Sequence, residues 1–201
     1  MTMLTTAAML VCERDGTLDA PCGRWFGEAA APDLSVIERA RSPALDVGCG
    51  PGRHVVALAE HGVSAMGIDV TPSALDAARW RGAPVLERSV FDRVPGAGRW
   101  ASALLLDGNI GLGGDPIALL RRVASLVRPD GVLLVELDSP GTTATARHVR
   151  FEIDGSTGPW FSLATVAADH LDDVSRRADL VTTERWVVGG RWFASLGKPA
   201  P

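Results

Sequence analysis

A short apolar run that breaks into three alternating glycines and passes at once into a helical pattern limits this chain's fold more than any other feature. The run is Ala44-Leu45-Asp46-Val47, the glycines are Gly48, Gly50 and Gly52, and helix-period apolar spacing begins at Arg53. Glycine turns sharply and lets a ligand approach the backbone closely, because it has no Cβ to collide. The new helix presents unpaired N–H groups in its first turn, which suit a carboxylate. Asp69 closes the next apolar run about twenty residues on, where an acid in such folds accepts hydrogen bonds from ribose hydroxyls. A dinucleotide fingerprint would carry its third glycine at position 53, which is arginine, and this counts against NAD.

From residue 44 onward, apolar runs alternate with helical patterns, the mark of an α/β fold with a parallel sheet covered by helices. Strands are predicted at 44–47, 64–69, 84–88, 101–107 and 132–137, and helices at 53–61, 72–81 and 116–127. Pro72 after Thr71 and Pro116 after Asp115 read as first helical positions behind capping side chains. Further on, 149–153 and Asp154-Gly155 read as a hairpin or flap, followed by a helix from about 165 to 177. Strands at 180–188 and 191–196, joined at Gly189-Gly190, would add an antiparallel edge. Residues 1–43 show little periodicity beyond 34–41 and are expected to be a loose lead-in with one short helix; residues 44–201 form the domain proper.

With its acid followed by GxGxG between strand and helix, the chain strongly resembles the class I S-adenosylmethionine (SAM)-dependent methyltransferases. The resemblance implies a Rossmann-like three-layer sandwich around a mostly parallel seven-stranded sheet with an antiparallel C-terminal strand. It implies SAM as cofactor, with Asp46, Gly48, Gly50 and Gly52 lining its methionine part and Asp69 holding the ribose. Where the family often has an acid against the adenine amino group, this chain has Ser89, whose hydroxyl can also accept. Val90 and Phe91 would flank the adenine ring.

The fourth strand ends in Asp107-Gly108-Asn109, where an open α/β sheet places its ligand, so Asp107 and Asn109 are expected beside the sulfonium and the acceptor. Gly108, Gly111, Gly113 and Gly114 make the following loop pliable or close-packed. The segment lacks the paired prolines and aromatic of base-methylating relatives. His148 is the candidate general base, with Asp107 its competitor. Trp160 and Phe161 are candidate walls of the acceptor pocket, with Trp25 as a further one, and His54 beside the glycine loop is read mainly as packing. A cofactor motif reports fold and binding only. Methyl transfer to an O or N atom of a metabolite is therefore the leading expectation, with a non-methylating reaction or simple SAM binding as the alternative.

The net charge of −4 and the scattered arginines give no continuous phosphate track, so a small-molecule partner is expected and nucleic acid is not. Cys12, Cys22 and Cys49 lack metal-ligand spacing, so no metal site is expected and a reducing cytoplasm is. The opening residues lack the basic start of a signal peptide, and no apolar stretch approaches the roughly eighteen residues of a membrane span.

Overall fold

A computed structural model describes residues 8–14, 16–18, 22–153 and 156–199. The elements are β1 (Ala8–Cys12), β2 (Gly16–Leu18), α1 (Cys22–Trp25), α2 (Ala31–Ile37), β3 (Ala44–Val47), α3 (Arg53–Glu60), β4 (Ala65–Asp69), α4 (Pro72–Trp80), β5 (Val85–Glu87) and β6 (Trp100–Leu105). They continue with a 3-10 turn (Asn109–Gly111), α5 (Pro116–Leu126), β7 (Val127–Leu137), β8 (Ala146–Ile153), β9 (Ser156–Thr157), β10 (Phe161–Ala164), a second 3-10 turn (Ala168–His170), α6 (Leu171–Arg177), β11 (Val181–Val188) and β12 (Arg191–Gly197).

Seven strands form the main sheet in the order β11-β12-β7-β6-β3-β4-β5. The five from β5 to β7 are parallel, and β12 enters antiparallel between β7 and β11. Its central strands are mostly apolar because helices cover both faces, with Asp46, Ser102 and Glu136 as buried polar exceptions. Strand alternation divides the side chains: Ala103 and Leu105 face the layer of α5, against Leu119, Leu120 and Val123. Leu104 and Leu106 face the opposite layer, against Ile37, Ala57 and Leu58. The fold is the three-layer sandwich that the glycine motif implies.

Asp115 caps α5 as expected, its Oδ1 accepting from the Ile117 and Ala118 N–H groups at 3.0 Å each. The Thr71 side chain makes no cap bond at the start of α4; the Asp69 carboxylate reaches the Thr71 N–H at 2.8 Å. Strand β7 begins at Val127 rather than at residue 132. Its Pro129-Asp130-Gly131 stretch, which looks like a turn, is absorbed by an irregular register between Trp100 and Ser102 of β6. The helix expected over 165–177 begins as a 3-10 turn and is α-helical only from Leu171.

The lead-in departs most from expectation. Residues 8–12 pair antiparallel with β8 from Ala8↔Ile153 to Cys12↔Val149, and a second sheet results in the order β10-β8-β1-β2 with β9 beside β8. The strand character of β1 shows only opposite β8, about 140 residues away, so local periodicity does not reveal it. The short helix runs over Ala31–Ile37 rather than 34–41, started by Pro32 and by Asp33 accepting from the Ala30 N–H at 2.9 Å. The Asp154-Gly155 turn lies outside the described residues.

The second sheet is fastened to the glycine-rich loop after β6. Leu112 bridges Leu163, and the Gly113 N–H donates to Ser162 O at 2.9 Å. A Cβ on Gly111 would sit 1.8 Å from Ala164 O, and one on Gly114 2.8 Å from Ser162 Cβ. The glycines thus permit close packing of two backbones. Gly111→Ala is therefore expected to lose about 1–3 kcal/mol in urea unfolding through overpacking. Wild-type stability would show that β10 does not rest on this loop.

Candidate active site

A cavity of about 370 Å³ opens at the carboxyl ends of β3, β4, β5 and β6. The second sheet and the end of α1 roof it. Its floor is the turn between β3 and α3, where Gly48, Gly50 and Gly52 have φ of 72°, 51° and 79°. A Cβ on Gly48 would lie 2.6 Å from Asn109 Nδ2, and one on Gly52 would lie 2.9 Å from Ala78 Cβ. A Cβ on Gly50 would meet no protein atom within 4 Å. It would instead occupy the cavity that Gly50 lines. The collision expected at Gly50 is thus one with a ligand, while Gly48 and Gly52 serve the packing of Asn109 and α4.

Asp69 Oδ2 accepts from the Gly50 N–H at 2.9 Å and Oδ1 from the Thr71 N–H at 2.8 Å. Each carboxylate oxygen keeps a further lone pair for a hydroxyl. Ser89, Val90 and Phe91 also line the cavity. Ser89 Oγ accepts from the Phe91 N–H at 3.2 Å, and the Phe91 ring lies across Gly113, where a Cβ would come within 2.8 Å of it. Asn109 lines the cavity with its amide turned to the floor, Nδ2 donating to Val47 O at 3.0 Å and Gly48 O at 2.8 Å. Asp46 and Gly52 are not part of the lining. Asp46 is buried, with Oδ2 3.7 Å from His54 Nδ1. The structure therefore brings Gly48, Gly50, Asp69, Ser89, Val90, Phe91, Asp107, Asn109, Trp160 and Phe161 around one space.

The two candidate bases change meaning. Asp107, at φ 56°, donates its N–H to Glu136 Oε2 at 2.7 Å. Its carboxylate accepts from Arg53 Nη2 at 2.7 Å and Arg24 Nη2 at 3.0 Å. It borders the cavity, but Oδ1 accepts from Arg24 and Arg53 and Oδ2 from Arg53, so taking up a proton there would weaken these charge-assisted bonds. His148 is outside the cavity: strand alternation puts it on the opposite face of β8 from the lining residue Phe151. There its Nδ1 is 3.0 Å from Glu13 Oε2 and its ring stacks on Trp160, so neither geometry nor reach suits it to proton removal.

Under the floor lies an ion network that sequence reasoning missed. Arg53 bridges Asp107 to the fully buried Asp33 at 3.1 Å. Arg191 bonds Asp33 at 2.7 Å and Glu136 at 2.6 Å. Glu136 had a signal, since an acid within Val132–Leu137, an otherwise apolar central strand, must find a cation. His54 sits in the same network. Its Nε2 is 3.1 Å from Arg53 Nε and 3.3 Å from Asp33 Oδ1, so it either accepts from the first or donates to the second. Four carboxylates, those of Asp33, Asp46, Asp107 and Glu136, stand against the three guanidiniums of Arg24, Arg53 and Arg191, and Asp46 has no guanidinium of its own, which favours the charged imidazole. Burial opposes that charge, but the Asp33 and Asp46 carboxylates prevail and raise the His54 pKa to about 9. For Asp33, burial opposes ionisation, yet bonds from His54, Ala30 and Arg191 hold its carboxyl well below the usual range.

The methyltransferase-domain family model matches residues 44–131. With the fold described above, that match makes the chain similar to the class I SAM-dependent methyltransferases. The chain resembles a SAM-dependent methyltransferase from Bacteroides fragilis in complex with S-adenosylhomocysteine (TM-score 0.78, 21% identity, covering 96% of this chain and 88% of that one). It also resembles the Burkholderia thailandensis 1,6-didemethyltoxoflavin-N1-methyltransferase (0.66, 18%, 88% and 81%) and the Streptoalloteichus sugar N-methyltransferase KedS8 (0.60, 21%, 84% and 85%). No curated protein matches the sequence. At these identities the likeness is one of fold. The residues present fit the family's cofactor, SAM: open space over Gly50, an acid with spare lone pairs at the end of β4, and a hydroxyl and ring after β5. Among the described residues there is no cluster suited to a metal ion and no helix long and apolar enough to cross a membrane.

Two predictions follow from the floor and the network beneath it. Gly50→Ala carries only left-handed strain of about 1–2 kcal/mol, yet should weaken S-adenosylhomocysteine binding at least tenfold by calorimetry. Gly52→Ala should instead lower thermal stability by more than about 2 kcal/mol; equal effects of the two on binding and stability would remove the distinction. Because the His54 pKa is raised on folding, its contribution to stability is complete below about pH 6.5 and declines as pH rises through about 9. The chain has no tyrosine and Lys198 as its one lysine, and the buried Cys49 thiol, held up by burial, adds a loss of the same sign above about pH 9 that a His54 variant retains. Urea midpoints should therefore fall from about pH 6.5 to pH 10 in the wild type and much less in His54→Gln; parallel pH profiles would mean His54 is buried neutral.

Proposed function

We propose that this protein is a SAM-dependent methyltransferase that methylates a nitrogen or oxygen atom of a small metabolite in the cytoplasm. The observation that carries the reading is the roof: the small sheet reaches over the carboxyl ends of β3 to β6 and leaves a partly covered cavity in the size range of small-molecule sites. The acidic net charge agrees with such a substrate. Two relatives in fold, by their names, act on nitrogens of small molecules.

SAM, when bound, supplies an electrophilic methyl group on a positively charged sulfur. Gly50 leaves room for its methionine portion against the backbone, Asp69 accepts from the ribose hydroxyls, and Ser89 with Val90 and Phe91 borders the adenine. Asp107, fixed by Arg53 and Glu136, places a carboxylate at the end of β6 on the acceptor side. The roof excludes water and holds the acceptor in line, so the protein's contribution is alignment and desolvation.

Asp69→Ala should weaken S-adenosylhomocysteine binding about tenfold or more in calorimetry, because buried ribose donors lose their acceptor. Incubating wild-type protein with SAM and small-molecule extracts should release S-adenosylhomocysteine. Binding without any release would instead support a protein that holds SAM for another purpose.

A further inference from the structure

Four of the chain's five phenylalanines and two of its six tryptophans line this cavity. Phe91 belongs to the cofactor end, and the others form the roof. Trp25 meets Phe151 edge-on with ring centroids 5.2 Å apart, and Phe151 meets Phe161 at 5.2 Å with the planes tilted by 39°. Their outer sides rest on Leu10, Cys12 and Val149, the core of the second sheet, so the arrangement is braced from behind. Trp160 is held from outside the cavity by the His148 ring at 5.4 Å and the Arg150 guanidinium at 4.8 Å. These are rings fixed by packing, facing a space with few polar groups of its own.

Of the polar groups that border the space, Trp25 Nε1 and Arg88 Nε have no protein partner but can only donate, and those that could accept a proton are engaged. Asp107 is held by Arg24 and Arg53, and the Asn109 amide nitrogen by the backbone of β3. Asp69 stands at the opposite end, bonded to Gly50 and Thr71. His54 turns both ring nitrogens toward Asp33 and Asp46 beneath the floor, and burial pushes the Cys49 thiol far up. The chain contains no tyrosine. Among the described residues, no lining side chain is both free and able to take a proton from an acceptor.

Resting on the proposed methyl transfer, we infer that the acceptor is a flat, uncharged aromatic or heteroaromatic molecule, methylated on a nitrogen whose lone pair is already free. An aromatic guest gains about 0.5–1.5 kcal/mol per ring contact beyond area burial. A polyhydroxylated guest would find only indole N–H donors among these rings and would leave most of its hydroxyls unpaired against the roof, at about 1–3 kcal/mol each. A hydroxyl acceptor would need a base, whereas a nitrogen lone pair does not. In the transfer, that lone pair forms the bond to the methyl carbon while the sulfur–carbon pair remains on sulfur, giving S-adenosylhomocysteine. Any proton then on the nitrogen leaves to water.

Isoquinoline, a bicyclic aromatic with a free ring-nitrogen lone pair, is the probe, with glucosamine and 7-hydroxycoumarin for comparison. S-adenosylhomocysteine binding is measured first by calorimetry; its absence would overturn the cofactor reading and this inference together. In protein saturated with S-adenosylhomocysteine, isoquinoline should bind at least tenfold tighter than glucosamine and quench tryptophan fluorescence. Phe161→Leu, which keeps apolar bulk and loses only the ring, should weaken isoquinoline severalfold, and Phe161→Ala should do so more strongly, with S-adenosylhomocysteine affinity within twofold of wild type in both. With SAM, mass spectrometry should find N-methylisoquinolinium and no methyl ether of 7-hydroxycoumarin. If S-adenosylhomocysteine binds but isoquinoline does not, or glucosamine binds as tightly, or Phe161→Leu changes nothing, the aromatic acceptor is overturned. Methylation of the coumarin hydroxyl alone would overturn the nitrogen assignment.

Discussion

Arg53 is almost wholly out of water, its guanidinium between the carboxylates of Asp33 and Asp107, and the geometry of the site depends on that placement. The residues it gathers come from separate parts of the chain: Asp33 from α2, Asp107 from the end of β6, and through them Arg191 of β12 and Glu136 of β7. Such buried pairs add little net stability over apolar packing, but losing one partner leaves an uncompensated charge at about 3–5 kcal/mol. Their effect is therefore to exclude other arrangements. The turn between β3 and α3 is held not only by its glycines but by the helix they start, whose first residue is anchored on two sides.

The same anchor explains Asp107. A non-glycine residue at φ 56° is disfavoured, and here the strain is offset by the bond from its N–H to Glu136 and by the guanidiniums on its carboxylate. The backbone turn it makes delivers Gly108 and the glycine-rich loop to the second sheet. A carboxylate fixed so firmly is a landmark for whatever enters the cavity, not a proton carrier. This favours chemistry by alignment over chemistry by acid and base.

What the sequence disclosed and withheld follows the range of the interactions involved. The parallel sheet was legible because each strand and helix carries its own period and punctuation: Gly48 to Gly52, Pro72, Asp115-Pro116 and Gly189-Gly190 act within a few residues. The cofactor floor was legible for the same reason, since Asp69 and Gly50 meet across a single strand crossing. The strand at β1 was not, because its pairing with β8 is long-range and its residues are unremarkable until opposed. His148 misled because position after a strand says nothing about which face of the next strand a side chain takes; one residue's difference in parity separates it from Phe151 and the cavity. Arg24 and Arg191 carried no local mark, being defined only by acids far along the chain.

This division also explains why the family motif says so little about the acceptor. The floor that fits SAM is built from the sheet common to the fold, while the roof is assembled from α1, β8, β10 and the segment before β10, all outside residues 44–131 that the family model matches. Contacts to the acceptor therefore come largely from segments that need only pack on one another and on the glycine-rich loop. Because β10 approaches that loop within the space of a missing Cβ at Gly111, the roof is held at a fixed height above the floor. The rings above the cavity are thus carried on a sheet whose place over the backbone turn below is set by backbone packing rather than by a ligand.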